Sequence, residues 1–303
     1  MISILFGAGA SLGSGACFPM TPPDGKRLFH ELVKLKGVFY CLHDNVKNVF
    51  VEQGFESGMA AVPNTSDIII PLQKELATYL SGFSIADGNA YSLLFKKIKH
   101  QLPSIAVSTL NYDLLIEQAL DYNNINYSYE GEEKAVDLMK VHGSSNFLTR
   151  IPNGHWMSNV TASDCHTYVD TGFFYPVKTH YDIVAWCRDP SNKMLSPILA
   201  NYEKGKRVVT SSSIVDKIQK RYQESIQQSD LVLLIGVRYV REDIHIWECI
   251  EKSKCKVIVV DPFPTEIKEW LLLNKKTKHK LIQKGFLESI DDIQRHIKSR
   301  RLF

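Results

Sequence analysis

Three polar residues that could do chemistry follow short apolar runs of the chain. Asn111 and Asp113 come just after the run Ile105 to Val107, and His142 follows the run Leu138 to Val141. A histidine, with an unperturbed pKa of about 6.5, suits proton transfer at neutral pH. An asparagine amide can hold a sugar hydroxyl or a water molecule in a fixed direction. The three residues therefore predict a base working beside an oriented polar group.

Each of these residues also has a structural interpretation. Asp113 could cap the helix predicted from Leu114 to Tyr122, a contribution of about 1 kcal/mol, but capping leaves Asn111 unexplained. His142 differs from an ordinary structural histidine because it ends an apolar strand beside Gly143. The other nine histidines, such as His30, His43 and His279, are interpreted as structural.

A glycine-containing loop follows the first apolar run, Ile2 to Phe6, and reads Gly7-Ala8-Gly9-Ala10-Ser11. Two missing side chains would let the backbone approach a diphosphate and point amide groups at it. The full dinucleotide fingerprint has a third glycine three residues after Gly9, where this chain has Leu12. A hydride-transferring dehydrogenase is therefore disfavoured. A tight strand-to-helix turn is the alternative reason for the two glycines.

These residues must be positioned by a repeating pattern of strands and helices. Apolar runs ending at Phe6, Val107, Val141, Ile235 and Val260 suit strands buried on both faces. Helical periodicity fills the gaps, over 26–36, 67–80, 91–101, 114–122, 214–227, 243–252 and 287–298. The alternation predicts a doubly wound parallel α/β sheet of Rossmann-like type, with helices on both faces. Ligands of such sheets bind at the carboxyl ends of the strands, where the chain also has Thr109, Gly236-Val237-Arg238 and Asp261-Pro262.

The regular alternation fades between about 147 and 205. We expect a single domain over 1–303, whose core is 1–146 and 206–303 and whose residues 147–205 form a small inserted module or lid. Most of the insert's aromatic residues are expected to pack its own small core, and they are Trp156, Tyr168, Phe173, Phe174, Tyr175, Tyr181 and Trp186. Whether the insert closes over a ligand or mediates assembly stays open.

Composition and charge favour a globular protein and do not by themselves indicate a nucleic-acid or membrane partner. The 303 residues are 44% hydrophobic and 23% charged, which is typical of a soluble globular chain. A net charge of +3 does not imply nucleic acid or an anionic membrane as a partner. The stretch from Glu251 to Phe303 is more basic, with 13 Lys or Arg against 7 Asp or Glu, and is interpreted as a solvated helical face, with a docking surface as the weaker alternative.

The cysteines and the ends of the chain add further expectations. The six cysteines form no C-x-x-C pair, so no structural zinc and no other metal is expected. The first residues are interpreted as a strand and not a signal peptide, and no apolar run is long enough to span a bilayer. A reducing cytoplasm suits these features.

The motifs together resemble the sirtuin family, and more closely the sirtuin-like NAD+ hydrolase domains of bacterial antiphage defence proteins. The resemblance runs in order through most of the chain. Its elements are Gly7-Ala8-Gly9-Ala10-Ser11, Pro22-Pro23-Asp24-Gly25-Lys26-Arg27-Leu28-Phe29, Thr109-Leu110-Asn111-Tyr112-Asp113, His142-Gly143 and Gly236-Val237-Arg238.

The resemblance implies roles for these residues. Asn111 and Asp113 would organise the nicotinamide ribose, and His142 would be the base on a ribose hydroxyl. The NAD+-binding set would be Gly7, Ala8, Gly9, Ala10, Ser11, Asp24, Thr109, Gly236, Arg238 and Asp261, with the glycine loop on the phosphates and the last three residues on the adenosine half. At the position of Arg238 sirtuins usually have a small hydroxyl residue.

Two departures from the sirtuin deacylases favour hydrolysis. The chain lacks the four-cysteine zinc module of those enzymes, and Leu110 stands where they usually have glutamine. The first hypothesis is thus an NAD+ glycohydrolase that yields nicotinamide and ADP-ribose without a metal. The alternatives are an NAD-dependent protein deacylase and a non-catalytic sensor that binds NAD+ or ADP-ribose. The family also implies control by oligomerisation or by a second protein, such as a motor ATPase or a sensor.

Overall fold

The computed structural model of the protein describes residues 1–63, 65–150, 160–163, 166–170, 172–200, 210–276 and 278–299. The strands in this part of the chain are β1 (Ile2–Phe6), β2 (Cys17–Phe18), β3 (Ser84–Ile85), β4 (Ile105–Thr109), β5 (Tyr127–Ser128), β6 (Val136–Lys140), β7 (Phe147–Thr149), β8 (Val160–Ser163), β9 (His166–Val169), β10 (Phe174–Pro176), β11 (Leu231–Ile235), β12 (Lys256–Val260) and β13 (His279–Ile282).

The helices lie between these strands. They are α1 (Ala8–Leu12), α2 (Gly25–Lys34), α3 (Asp44–Gln53), α4 (Phe55–Ala61), α5 (Ser66–Ser81), α6 (Ala90–Ile98), α7 (Leu115–Tyr122), α8 (His180–Arg188), α9 (Ser212–Gln227), α10 (Ile244–Lys252), α11 (Thr265–Leu273) and α12 (Ile290–Lys298). Among the residues that the structure describes, no helix is both long enough and apolar enough to cross a membrane.

One seven-stranded sheet forms the centre of the fold, in the order β13-β12-β11-β1-β4-β6-β5. Every pair of neighbours in this sheet runs parallel. Without the edge strand β5, the sheet order β6-β4-β1-β11-β12-β13 is the Rossmann order. The strand order reverses between β1 and β11. The predicted doubly wound parallel α/β fold is therefore confirmed.

The apolar runs become strands because both of their faces are covered. All five residues of β1, of β4 and of β11 are buried, and the apolar ones belong to one continuous hydrophobic core. A strand with a single covered face would alternate apolar and polar residues, which these runs do not do. Phe6 pairs with Ile235 of β11 and with Thr109 of β4, so the three central strands end at the same height.

The observed helices show which helices can be predicted from hydrophobic periodicity alone. All seven predicted helices are present with ends shifted by a few residues, except that the last begins with a 3-10 turn, Leu287–Ser289, before α12. Helical periodicity does not predict α1, α3, α4, α8 or α11. Aromatic contacts hold α3 against α2, including the stacked rings of Phe29 and Phe50, whose centroids are 4.3 Å apart.

The interpretation of the basic C-terminal stretch as one helical face is wrong for its central part. His279–Ile282 forms the edge strand β13, which pairs with β12. Lys275 adopts a positive φ of 51°, and the buried Lys276 ammonium donates to the carbonyl oxygen of Ser253. Pairing with a buried parallel neighbour overrides the polar character of this segment.

The described part of the predicted insert contacts both the main core and a small core of its own. Phe147, Leu199 and Ala200 belong to the main core, whereas Trp186 packs in a separate cluster whose other buried members are Leu148, Val169 and Leu195. Tyr181 is exposed. Trp156 and the side chain of Tyr168 lie outside the described residues. The boundaries of the insert stay a prediction.

Candidate active site

The predicted site residues meet at the carboxyl edge of the sheet, around the point where the strand order reverses. Gly7 follows β1, Asn111 follows β4, His142 follows β6 and Gly236 follows β11. These four strands are adjacent in the sheet. In open α/β sheets, this crevice at the reversal is where ligands bind. The topology thus brings together residues that are more than 200 positions apart in sequence.

The glycines of the first loop pack against the loop after β11. A Cβ atom on Gly7 would lie 2.5 Å from the carbonyl oxygen of Gly236, and one on Gly9 would lie 2.9 Å from it. Gly236 has a φ of +59°, and a Cβ there would clash with the backbone of Ala10. Close backbone packing therefore accounts for all three glycines without a ligand. Their contact with phosphates stays a prediction.

Several amides of this loop are already hydrogen-bonded. The N–H groups of Gly7 and Gly9 donate to the carbonyl oxygens of Ile235 and Gly236, each at 3.0 Å, and that of Ala10 donates to Gly7 at 2.9 Å. Ala8, the first residue of α1, is the exposed member of the loop. An anion bound here would approach the loop through Ala8.

Asn111 is held in one orientation by three hydrogen bonds. Its backbone N–H donates to the Thr109 hydroxyl at 3.0 Å, and that hydroxyl donates to the carbonyl oxygen of Phe6 at 3.1 Å. Its side-chain Nδ2 donates to the carbonyl oxygen of Gly7 and to the Ser11 hydroxyl, both at 3.0 Å. A carbonyl oxygen only accepts, so the amide nitrogen must face Gly7. Both amide hydrogens are then used, and Asn111 can offer a ligand only its acceptor oxygen.

Asp113 lies behind Asn111 in the same buried network. Its Oδ2 accepts from the Ser11 hydroxyl at 2.8 Å, and its Oδ1 accepts from the N–H of Leu115, the first residue of α7, at 3.2 Å. The Ser11 hydroxyl also lies 3.0 Å from the Tyr91 hydroxyl. Burial raises the pKa of the Asp113 carboxyl, against the opposing positive charge of Lys140. This geometry suits a positioning role, and contact of Asp113 with a ribose stays a prediction.

A buried ion pair that the sequence did not suggest supports this network. The Lys140 ammonium lies 3.0 Å from Glu117, and their side chains are almost fully inaccessible. The same ammonium donates to the carbonyl oxygen of Asp113 at 2.6 Å. Lys140 is thus the cation that balances the negative charge beneath Asn111. An isolated lysine in a strand carries no sequence signal for such a role.

His142 leaves the sheet edge one strand away from Asn111. Thr109 and Lys140 are paired positions of β4 and β6, so Asn111 and His142 each lie two residues beyond that pair. Neighbouring strands are about 4.8 Å apart. Gly143 has a φ of +81°, which turns the chain sharply after His142. The predicted base and the predicted amide are therefore neighbours on one edge.

Two residues near the amino end of α10 also face His142. The Nε2 atom of His142 lies 3.1 Å from that of His245 and 4.0 Å from Oδ2 of Asp243. His245 is one of the nine histidines interpreted as structural, and the sequence reasoning missed both residues. The pattern Asp243-x-His245, shortly after the Gly236 turn, is the signal that could have revealed them.

The other predicted binding residues lie apart from this network. Asp24 caps α2 by accepting from the N–H of Arg27 at 3.1 Å. Arg238 forms an exposed ion pair with Glu266 at 2.9 Å. Asp261 accepts from the N–H of Phe263 at 2.7 Å, and burial raises the pKa of its carboxyl. Their part in binding a dinucleotide stays a prediction.

An open cleft of about 610 Å³ lies elsewhere on the molecule, on the far side of β6. Its lining includes Tyr127, Tyr129, Glu130, Asn146 and Lys178. None of the predicted site residues borders it. A large volume is not by itself a site, and the polar residues that could do chemistry converge at the strand ends instead.

Comparison with known proteins gives a likeness in structure alone. No protein family and no curated protein sequence matches the chain. Among solved structures, the chain is similar to a Sir2 homologue in complex with NAD, at 14% identity and a TM-score of 0.49, covering 99% of this chain and 90% of that one.

Two further solved structures are also Sir2 proteins. One is a mutant Sir2 homologue in complex with ADP-ribose, at 13% identity and a TM-score of 0.46, covering 100% of this chain and 94% of that one. The other is Sir2 with an inhibitor, 2′-O-acetyl-ADP-ribose and a deacetylated peptide, at 14% identity and a TM-score of 0.48, covering 98% and 93%. What this chain binds must therefore be inferred from its own residues.

Proposed function

We propose that the chain is an NAD+ glycohydrolase that cleaves the bond between nicotinamide and ribose and yields ADP-ribose. The observation that carries the proposal is the fixed amide of Asn111 beside His142, at the crevice where the strand order reverses. In a Rossmann strand order this crevice takes a dinucleotide. The motif resemblance to sirtuin-like NAD+ hydrolases points to the same substrate.

The reaction needs little from the protein beyond orientation, dipoles and a base. Nicotinamide leaves with the electron pair of the glycosidic bond, which makes C1′ of the ribose cationic, and a water oxygen then bonds to C1′. Because its amide hydrogens are used, Asn111 offers the negative end of its dipole, which suits a hydroxyl donor and the developing positive charge. A fixed dipole does this without reorganising during the reaction.

His142 would take the proton that the water or a ribose hydroxyl loses. A hydrogen bond between the facing nitrogens of His142 and His245 needs one of them protonated and the other not. The partly exposed His245 can therefore pass a proton from His142 to solvent, and the nearby Asp243 carboxylate favours the transient positive charge. The balanced products are nicotinamide, ADP-ribose and one proton.

Regulation and setting follow from the family resemblance. From the resemblance we infer that the enzyme acts in the cytoplasm as an antiphage effector. Because depletion of NAD+ harms the host, the enzyme must be restrained until it is triggered. Restraint would come from assembly, either as a homo-oligomer or with a separate protein such as a motor ATPase or a sensor. The inserted module of 147–205 and the basic C-terminal segment are the candidate contacts. Direct binding of nucleic acid is not part of the proposal.

The test is to incubate the purified chain with NAD+, alone and with a candidate partner, and to measure nicotinamide and ADP-ribose by chromatography. Asn111→Ala and His142→Ala should each lower nicotinamide release by about 100-fold or more. His100→Ala is the matched control, because His100 is exposed on the surface after α6. Thermal unfolding of each variant separates a lost reaction from a lost fold.

Two outcomes would replace the proposal. Product from an acylated peptide, with no nicotinamide formed in its absence, would indicate a deacylase. Binding of NAD+ without consumption in every condition would indicate a sensor. Unchanged release from Asn111→Ala would remove the assigned reaction centre.

A further inference from the structure

His142, Asp243 and His245 bring three metal-binding side chains together from two distant parts of the chain. His142 follows β6, whereas Asp243 and His245 lie at the start of α10. We propose that these three residues form a binding site for a transition-metal ion of the zinc class, and that the bound ion switches the enzyme off. Metal binding stands on the geometry alone, and inhibition also rests on the proposed function.

The spacing of the three groups suits a shared ion. Ligands about 2.0–2.1 Å from a tetrahedral zinc ion lie roughly 3.3 Å from one another. Here the two Nε2 atoms are 3.1 Å apart, the His142 nitrogen is 4.0 Å from Asp243, and each residue offers a ligand atom within 4.8 Å of the others. Shifts of about 1 Å or less would complete the coordination.

The donor set is also one that zinc prefers. Two imidazoles and one carboxylate make up three-ligand zinc sites that leave the fourth position open. His142 and Asp243 are buried, and His245 is partly exposed, which gives an ion a route from solvent. Cysteine spacing, the usual sequence signal for zinc, does not report a site built from two histidines and an aspartate.

The backbone holds both halves of the site in place. The carbonyl oxygen of His142 accepts from the N–H of Ala200 at 2.9 Å, and Gly143 fixes the turn that follows. The Asp243 side chain makes no capping hydrogen bond to α10 and lies near His142 instead. The amino end of a helix carries partial positive charge, which disfavours a cation. The Asp243 carboxylate is what offsets that charge.

A bound metal would inhibit the enzyme because it uses the electron pair with which His142 accepts a proton. A metal ion bound between the two histidines occupies the lone pair of the His142 Nε2 atom, and it displaces the proton that the two rings share. A histidine coordinated at this atom cannot pass a proton to His245. The metal-bound enzyme is therefore inactive, and removal of the metal restores the base.

The binding experiment uses the full chain, stripped of metal with a chelator and then titrated with Zn²⁺ by calorimetry and with Co²⁺ by absorption spectroscopy. We expect one ion per chain. His245→Ala should weaken binding by more than about 100-fold, since even the loss of an outer hydrogen-bond partner costs about 10- to 100-fold. Asp243→Asn, which keeps the shape, should weaken it less, and His100→Ala should not change it.

Cys41 is an exposed thiol that could bind the added metal in place of the proposed site. The cobalt spectrum distinguishes these two sites. Coordination by His142, Asp243 and His245 gives visible bands without thiolate charge-transfer absorption. Binding that His245→Ala and Asp243→Asn leave unchanged, or absorption typical of thiolate, would overturn the proposed site.

The activity arm measures nicotinamide release as Zn²⁺ is added. Release should fall with a midpoint equal to the measured dissociation constant, and a chelator should restore it. Whatever activity His245→Ala keeps should not respond to Zn²⁺ in that range. Activation by Zn²⁺, or binding without inhibition, would overturn the inhibitory role. Absence of NAD+ hydrolysis in every condition would count against the proposed function while the binding result stood.

Discussion

The two sides of the strand-order reversal are built differently. On the side of β4 and β6, Asn111, Asp113 and His142 are only 8%, 5% and 4% exposed, and hydrogen bonds fix the polar groups of the first two. On the side of β11 and β12, the Arg238 side chain is 68% exposed and pairs with a surface carboxylate. Under the proposed function, the groups that must be oriented for the reaction are the buried and hydrogen-bonded ones. The exposed groups would only contact the ligand, and they are free to change conformation when it binds.

The glycine packing joins the two sides. Gly236 belongs to the loop after β11, yet its backbone lies against Gly9 and Ala10 of the first loop. The Gly7 carbonyl oxygen from the same loop accepts from the Asn111 amide. A change on the exposed side that moved Gly236 would therefore reach the buried side through backbone contacts.

The largest expected effect comes from breaking the buried charge balance with Lys140→Met. This variant leaves Glu117 without its cation and removes the donor to the Asp113 carbonyl oxygen. Loss of one partner of a buried pair should lower the free energy of unfolding by about 3–5 kcal/mol in urea titrations. Lys178→Met, which breaks the exposed pair with Asp121, should cost about 1 kcal/mol or less. Equal losses in the two variants would mean that burial does not distinguish the two sides.

A smaller loss is expected from Gly236→Ala at the junction. The new Cβ adds left-handed strain of about 1–2 kcal/mol and a clash with the backbone of Ala10, so unfolding should become easier by at least about 2 kcal/mol. Gly88→Ala is the matched control, because Gly88 also has a positive φ but no heavy atom within 4 Å of the added Cβ. If Gly236→Ala and Gly88→Ala lost the same free energy of unfolding, the close packing of Gly236 against Ala10 would be contradicted.

The smallest effect is expected on the exposed side, from Arg238→Gln. Stability should change by about 1 kcal/mol or less because the ion pair is solvated. Under the proposed function, KM for NAD+ should rise a few-fold with kcat unchanged, which is the signature of lost ground-state binding. Glu266→Gln breaks the same pair but keeps the arginine, so it should leave KM unchanged or lower it. A fall in kcat for Arg238→Gln would place this side in the reaction itself.

The predicted site residues that the structure brings together share one property. Gly7, His142 and Gly236 each follow an apolar run directly, and Asn111 lies four residues beyond one, so the strand pattern predicts that they meet at one edge. Asp24 and Arg238 entered by motif resemblance alone, and the structure gives them local roles as a helix cap and a surface ion pair. Position relative to a strand end was therefore the more informative signal.

What the sequence could not reveal depends on contacts between distant segments. Lys140 and Glu117 look like ordinary strand and helix residues until the fold pairs their side chains and excludes water from both. His245 lies in a helix that the sequence predicts, but only the fold brings it within 3.1 Å of His142. The segment around Lys276 looks solvated in sequence, but pairing of β13 with β12 buries part of it.

The sequence by itself determined the parallel sheet, the edge at which the predicted site residues meet and the residue types at the strand ends. These follow from local patterns, because burial on both faces selects continuous apolar runs and each run ends at a definite residue. The tertiary structure alone decided which polar groups are paired, which amide hydrogens of Asn111 are used and which histidine faces His142. Those outcomes depend on strand order and register, which bring together residues that no sequence window contains.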